Sequence, residues 1–162
     1  MFAADAMLGS LARWLRLLGY DCLYEADIAD EKLVAIGKSE LRIVLTRDRA
    51  VAQKAHRAIF VESDDLDDQI LAVAQDLHLE IPQEPPTTRC SMCNVLLNPT
   101  REQDLPSGAV PERVRALHHE FWSCPSCKRV YWKGTHFDSM GERLRVLKAR
   151  MESARPGSGE GA

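Results

Sequence analysis

The sequence predicts an α/β domain built on a parallel sheet, followed by a small unit that binds a metal ion through four cysteines. Over the first eighty residues, short apolar runs alternate with amphipathic helical patterns. This alternation is typical of parallel strands joined by right-handed crossovers and layered between helices. Beyond a proline-rich stretch, this alternating pattern ends and two Cys-x-x-Cys pairs follow. A length of 162 residues allows one such domain with a minidomain and excludes a solenoid or a large multidomain enzyme.

Each element of the predicted sheet domain has its own signal. The clearest strand is the β-branched run at 42–46, which is bounded by charged residues. Gly19 stands where the end of the first helix favours a left-handed residue, and Asp30 is predicted to be the N-cap of the second helix. The predicted strands are 2–4, 22–24, 42–46 and 58–61, and the predicted helices are 8–18, 30–39, 50–57 and 66–77. The residues expected to face the core in the first two helices are Leu8, Leu11, Ala12, Leu15, Leu18, Leu33, Val34 and Gly37.

The four paired cysteines predict a structural zinc site. Cys90 and Cys93 form one pair, Cys124 and Cys127 form the other, and 30 residues separate the pairs. Two thiolates three residues apart converge on one ion from a tight turn, and two such turns complete a closed tetrahedron. The alternative, a redox Cys-x-x-Cys, needs a thioredoxin-like unit and only one pair. The remaining cysteine, Cys22, is expected to be a small buried apolar residue.

Three histidines lie near the second cysteine pair and are alternative ligands. With four cysteines available, ordinary polar roles are favoured for His118, His119 and His136. The segment 128–136 interleaves bases with aromatic residues, a composition that suits single-stranded nucleic acid. The alternative is that Tyr131 and Trp132 form the small core of the metal-binding unit itself.

The net charge of −3 conceals a division between the two parts of the chain. Residues 1–88 carry 16 acidic against 9 basic side chains, and residues 89–162 carry 8 against 12. This division suggests two modules with different chemistry, although chance and solvated helix faces explain it equally well. The near-neutral total argues against a protein that coats nucleic acid indiscriminately.

Composition also predicts the segment boundaries and the compartment. The stretch 81–88 contains three prolines and predicts a linker, and the Gly- and Ser-rich end predicts a flexible tail. No secretory signal and no membrane span are visible, which with the paired cysteines predicts a reducing, cytoplasmic setting. The predicted order is an α/β domain at 1–80, a linker at 81–88, a zinc ribbon at 89–137, a basic amphipathic helix at 138–153 and the tail at 154–162.

Three aspartates occupy special places in the predicted sheet domain. Asp5 follows the first strand, Asp48 follows the strongest strand, and Asp30 begins the helix between them. Ligands of open α/β sheets bind outside the carboxyl ends of the strands, and carboxylates gathered there bind Mg2+ or Mn2+. Such ions activate water for phosphodiester hydrolysis. The alternative for each aspartate is a routine helix N-cap.

Several spaced motifs resemble the Mut-seven C-terminal RNase domain, a family of PIN-like nucleases with a fused zinc ribbon. They are the opening segment 2–21, Leu-Thr-Arg-Asp-Arg at 45–49, the two cysteine pairs, and Val-Tyr-Trp-x-Gly-x-His at 130–136. The resemblance covers residues 1–140. It implies a PIN-like three-layer fold for the 1–80 domain and metal-dependent cleavage of RNA.

The resemblance also assigns roles residue by residue. Asp5 and Asp48 match the family's acidic metal-ligand positions, and Asp30 matches the acid that opens the next helix. A fourth acid is expected among Asp64, Asp65, Asp67 and Asp68, of which Asp65 is favoured. Ala50 departs from the family pattern, which often has another aspartate there. The residues expected to contact RNA are Arg13, Arg47, Arg49, Arg129, Trp132 and Lys133, with Arg13 and Arg16 on the polar side of the first helix as RNA contacts or solvated charge.

These observations predict a ribonuclease that depends on Mg2+ or Mn2+ and carries a structural Zn2+. Asp5, Asp30 and Asp48 hold the catalytic ions, and the basic ribbon helps to hold the RNA. The alternative is an RNA- or ribonucleoprotein-binding adaptor of the same fold without turnover. A phosphoacceptor receiver domain is discounted, because it needs an acidic pair after the first strand, where Asp5 stands alone.

Overall fold

The parallel sheet that the sequence predicts is present in the computed structural model, which describes residues 1–154. Its strands are β1 (Phe2–Ala4), β2 (Cys22–Tyr24), β3 (Ile43–Thr46) and β4 (Ala58–Phe60), in the order β2-β1-β3-β4. All neighbouring pairs are parallel. The carboxyl ends of the four strands therefore lie at one edge, and the strand order reverses between β1 and β3. The predicted tail, apart from Ala154, lies outside the described residues.

The helices of this domain lie close to their predicted positions. They are α1 (Gly9–Leu17), α2 (Asp30–Ser39), α3 (Arg49–Lys54) and α4 (Leu66–Asp76), and a 3-10 turn at Ala6–Leu8 precedes α1. Gly19 has the expected left-handed conformation, with a φ of 89°. The prediction of Asp30 as an N-cap is wrong: Ala29 is the N-cap, and Asp30 is the first helical residue, where its charge favours the helix dipole. Helix α3 stops short of residue 57 because Ala55 is extended, with a ψ of 144°.

The sheet is covered by helices on both faces, which confirms the predicted three layers. Alternate residues of a strand point to opposite faces. Ala3 and Val44 belong to a core with Leu33 of α2 and Val51 of α3. The other face forms the larger core, with α1, α4 and a later helix. Its strand and early-helix members include Phe2, Ala4, Leu45, Leu8, Leu11, Ala12, Leu15, Leu18, Cys22 and Ile70.

The last helix, α6 (Thr135–Ser153), returns to this domain and begins before its predicted start at 138. Leu144, Leu147 and Met151 are buried in the larger core beside residues of α1 and α4. Two ion pairs join α6 to α4: Arg143 to Asp67 at 2.6 Å and Arg150 to Asp68 at 2.7 Å. The four-cysteine unit therefore lies in sequence between two helices of the same layer.

The four-cysteine unit is a three-stranded antiparallel sheet. It consists of β5 (Asn98–Thr100), β6 (Phe121–Ser123) and β7 (Val130–Trp132), with a 3-10 turn at Glu102–Asp104 and a short helix α5 (Glu112–Leu117) before β6. Tyr131 packs on a core that contains Cys90 and Cys124. Val130 and Trp132 pack on a second core around Phe121. Both aromatic residues of β7 thus contribute to the core of the unit, as the alternative interpretation predicts.

A buried arginine joins the two units. Arg16 of α1 is only 6% exposed, so its expected place on the polar side of the helix is wrong. Its Nε donates to the Cys22 carbonyl at 2.8 Å, and its Nη1 donates to the carbonyls of Ser91 at 3.2 Å and Met92 at 2.8 Å. Burial lowers the pKa of Arg16. One guanidinium therefore connects helix α1, strand β2 and the first cysteine pair.

A second polar group supports the same junction. The Asn94 side chain donates to Asp21 at 2.9 Å and accepts from the Cys22 backbone N–H at 3.1 Å. Asp21 also pairs with Arg42 at 2.5 Å. Burial raises the pKa of Asp21, but the hydrogen bonds from Arg42 and Asn94 outweigh burial and hold it below its ordinary value. Asn94 makes these contacts from a left-handed conformation, with a φ of 65°, which asparagine tolerates better than most residues.

Replacement of the junction arginine is expected to destabilise the fold. Arg16→Met keeps the aliphatic packing but leaves the buried Cys22 carbonyl and the partly buried Ser91 and Met92 carbonyls without this donor. We therefore expect a loss of about 2 kcal/mol in the free energy of unfolding. Urea unfolding of the purified protein measures the change. The control is Arg13→Met, an exposed position of the same helix. Equal stability of the two variants would contradict the role given to Arg16.

Candidate functional site

The sheet topology brings the four predicted catalytic aspartates to one edge. Asp5 directly follows β1, Asp30 begins the helix after β2, Asp48 lies between β3 and α3, and Asp65 precedes α4 after β4. Each strand therefore has one of these acids in the connection that leaves its carboxyl end. Ligands of open α/β sheets bind at this edge where the strand order reverses, which here is between Asp5 and Asp48.

Asp5 is the most constrained of the four. Its side chain is buried, with 7% of the residue exposed. Oδ1 accepts a hydrogen bond from the Met7 backbone N–H at 2.9 Å, and Oδ2 accepts one from the Arg47 backbone N–H at 2.7 Å. The second bond crosses from the end of β1 to the end of β3. It fixes the Asp5 carboxylate beside the loop that carries Asp48.

Asp48 caps helix α3 with one oxygen. Its Oδ1 accepts from the backbone N–H groups of Ala50 at 2.6 Å and Val51 at 3.1 Å. The Asp48 backbone N–H donates to Oγ1 of Thr46. Thr46 is the last residue of β3 and is fully buried. The N-cap alternative therefore describes Oδ1. Asp48 is exposed, and its Oδ2 has no hydrogen bond to a residue within 1–154.

The four aspartates that follow β4 each have a partner. Asp65 is the N-cap of α4, and its Oδ1 accepts from the Asp68 N–H at 3.0 Å. Asp64 pairs with Arg47, the residue whose N–H holds Asp5. Asp67 and Asp68 bind the arginines of α6 described above. Asp64 is therefore connected to the β1–β3 edge through Arg47, whereas Asp67 and Asp68 belong to the packing of α6.

The aspartates share an edge but do not form a closed group. Among residues 1–154, the four cysteines are the one set of three or more His, Cys, Asp or Glu residues whose ligand atoms all lie within 4.8 Å of one another. The sheet edge thus has the oxygen donors that a hard divalent cation prefers, with the carboxylates spread over separate loops.

The four-cysteine cluster has the geometry of a structural metal site. The Sγ atoms of Cys90, Cys93, Cys124 and Cys127 converge, and the Cys90 and Cys127 sulfurs are 3.7 Å apart. The cluster could hold a metal such as zinc, and its four thiolates would leave no open position for catalysis. No histidine belongs to the cluster within the described chain. Cys22 is buried in the core of the α/β domain, as expected.

The cluster is supported by a tyrosine from β7. The Tyr131 hydroxyl lies 3.1 Å from the Cys90 sulfur and 3.5 Å from the Ser91 hydroxyl. Burial raises the pKa of the Cys90 thiol, but hydrogen bonds from Tyr131 and from the backbone at Cys93 and Met92 outweigh burial and lower that pKa to about 7. These donors stabilise the thiolate, which is the form that binds metal.

The predicted RNA-binding residues lie in three places. Near the sheet edge, Arg47 pairs with Asp64, and the Arg49 guanidinium stacks on the Phe60 ring at 4.3 Å. Arg13 is exposed and lines a cavity of about 340 Å3 between α1 and the first cysteine pair. Arg129 and Lys133 are exposed on the four-cysteine unit, and Trp132 is half-buried beside them.

A match to a family model accompanies this geometry. Residues 1–144 match the Mut7-C RNAse domain. The chain belongs to this family. Comparison with curated proteins and with solved structures gives no significant match. Membership of the Mut7-C family indicates a nuclease-type function with RNA as the expected substrate, and it covers the sheet domain and the four-cysteine unit together. No helix of the described Mut7-C chain is long and apolar enough to cross a membrane.

The residues that join the two units of the Mut7-C chain were not predicted from the sequence. Arg16 follows Leu8, Leu11, Ala12 and Leu15 at the spacing i, i+3, i+4, i+7 and i+8, which is the apolar stripe of a helix. That spacing was a usable signal for a buried arginine. Asn94 had no such signal beyond its position directly after the first cysteine pair.

Metal content provides a direct test of the cysteine cluster. We expect the purified protein to contain one zinc ion per chain, and Cys93→Ser to lose it, because three thiolates hold the ion much less tightly than four. Elemental analysis measures the stoichiometry. Cys22→Ala is the control, since it removes a thiol outside the cluster. Retention of a full equivalent of zinc by Cys93→Ser would contradict the four-cysteine site.

Proposed function

We propose that this Mut7-C chain is a ribonuclease that depends on Mg2+ or Mn2+, with its active site at the carboxyl edge of the parallel sheet. The observation that carries the proposal is the hydrogen bond from the Arg47 N–H to Asp5, which holds a buried carboxylate beside Asp48 where the strand order reverses. Asp5 and Asp48 are the first two ligands in this proposal, and Asp30 and Asp65 complete the acidic set.

The donor set fits a hard divalent cation. Both Asp5 oxygens accept one backbone hydrogen bond each, which leaves lone pairs for a cation, and Oδ2 of Asp48 is free of bonds within the described chain. When bound, the cation supplies water activation and charge stabilisation for phosphodiester hydrolysis. Arg47 and Arg49 lie beside these carboxylates in sequence and provide cationic groups for a phosphate.

The four-cysteine unit supports this site as a structural zinc ribbon that helps to hold RNA. Arg16 and Asn94 attach its first cysteine pair to α1 and β2. Its exposed basic side chains and half-buried Trp132 suit single-stranded RNA, since aromatic rings stack on nucleobases and basic side chains contact phosphates. A cytoplasmic setting is part of the proposal, because cysteines paired for metal binding and not for disulfides are typical of reducing compartments.

A second candidate function is RNA binding without cleavage. It is favoured by one observation, namely that the acids at the edge do not form a group of three within 4.8 Å among residues 1–154. An adaptor would bind RNA equally well with and without Mg2+ or Mn2+ and would release no cleavage products.

Removal of the acidic ligands is expected to abolish cleavage. Loss of a residue that only orients a metal ligand lowers metal affinity or activity by about 10- to 100-fold, and loss of a ligand itself should cost more. We therefore expect Asp48→Asn and Asp5→Asn/Asp48→Asn each to lower Mn2+-dependent cleavage by more than about 100-fold. Asparagine also caps helices, so Asp48→Asn retains α3. Gel analysis of labelled RNA measures the products, and Asp76→Asn, exposed at the end of α4, is the matched control. Full activity of the double variant would refute the proposed site.

The fourth acid is tested by comparing two neighbours. If Asp65 is a ligand, Asp65→Asn should raise the Mn2+ concentration needed for half-maximal cleavage by about tenfold or more, while Asp64→Asn leaves it nearly unchanged. Manganese titration of both variants measures this difference. The reverse result would assign the position to Asp64, whose connection to Arg47 makes it the competing candidate.

A further inference from the structure

A cavity of about 230 Å3 lies where the four-cysteine unit meets α1 and α6. Its walls are mainly apolar. They include Leu17 of α1, Leu97, Trp132 of β7, and Phe137 and Met140 of α6. A cavity of this kind matches the flat, apolar faces of an aromatic ring system.

A basic groove of about 520 Å3 adjoins this cavity. The groove contains Lys128 and Arg129, and it shares Tyr131, Trp132 and His136 with the cavity. Both basic side chains are exposed, and the sulfur-bearing Cys127 is at the same groove. The apolar cavity and the cationic groove therefore share lining residues and lie next to each other.

Trp132 is one of these shared lining residues because the chain has no side chain at position 134. A Cβ on Gly134 would lie 2.7 Å from the indole Nε1 of Trp132. The glycine, whose φ of −110° suits any residue, is thus required by the close approach of the indole. Lys133, between them in sequence, places its ammonium 5.6 Å from the ring of Phe137, another cavity residue.

We propose that the cavity binds one unstacked base of single-stranded RNA, whose phosphate lies in the groove at Lys128 and Arg129. A nucleotide combines a flat apolar ring with an anion, and the cavity and the groove match these two parts. A base in a duplex is paired and stacked, so it cannot enter. The inference deepens the proposed function, because it rests on RNA as the substrate class, and it identifies a contact to the bases outside the catalytic edge.

The test compares RNA with and without bases. Fluorescence anisotropy measures binding of the zinc-loaded full chain to a labelled oligouridine and to an abasic strand with the same number of phosphates. No Mg2+ or Mn2+ is added, so no cleavage is required. We expect the intact strand to bind about tenfold more tightly, since stacking of one base on an aromatic side chain has an effect of this size.

Variants of one helix locate the contact. Met140→Trp fills the cavity and is expected to reduce binding of the intact strand to the level of the abasic strand, without changing the latter. Val146→Trp, at a position of α6 that is 54% exposed, is the matched control and should retain the tenfold preference. Lys128→Ala/Arg129→Ala should weaken binding of the intact strand and of the abasic strand equally, because both strands carry the same number of phosphates. If Met140→Trp fails to fold, Thr135→Trp at the exposed start of α6 fills the same cavity.

Equal affinity of wild-type protein for the intact and abasic strands would overturn the inference, as would a Met140→Trp variant that keeps the preference. These readings are independent of the catalytic proposal. A protein that shows the base preference but does not cleave RNA with Mn2+ would refute the nuclease site and leave the base pocket standing. A protein that cleaves RNA without a base preference would do the reverse.

Discussion

The arrangement of this chain depends on the buried guanidinium of Arg16. A buried cation is costly unless its donors are paired, and the carbonyls that pair it belong to Cys22 on one unit and to Ser91 and Met92 on the other. Neither unit alone accepts all the hydrogen bonds that the Arg16 guanidinium donates. The first cysteine pair is consequently attached beside the start of β2, at the amino end of that strand.

Some of the acidic residues in the front of the chain form ion pairs with basic residues in the back, which the net charge of each part does not show. Part of the acidic excess in the front of the chain lies at the start of α4, and part of the basic excess in the back lies on α6. Asp67 pairs with Arg143, and Asp68 pairs with Arg150. These carboxylates thus help to pack the last helix onto the sheet domain. In the proposed function, Asp5 and Asp48 bind cations, so the acidic residues of this domain serve two distinct purposes.

The fold was largely predictable because its signals are local. Strand β3 is an apolar β-branched run, α1 has a helical apolar spacing, and the cysteine pairs have the spacing of a metal site. The contacts that join the units were not predictable, since Arg16 and Met92 are 76 residues apart and only the folded chain pairs them. For the candidate site, the sequence indicated which loops carry acids. It did not indicate that Asp5 would be fixed by the Arg47 N–H, because that bond depends on how the ends of β1 and β3 meet.

In the proposed function, the edge between β1 and β3 binds the catalytic cation. A crystal structure of the zinc-loaded protein soaked in Mn2+, with anomalous scattering recorded for both metals, tests it most directly. We expect manganese coordinated by Asp5 and Asp48, at about 2.0 to 2.3 Å from carboxylate oxygens, and zinc at the four cysteines. Zinc at the cysteines with no manganese at the sheet edge, in crystals where that edge is open to solvent, would contradict it.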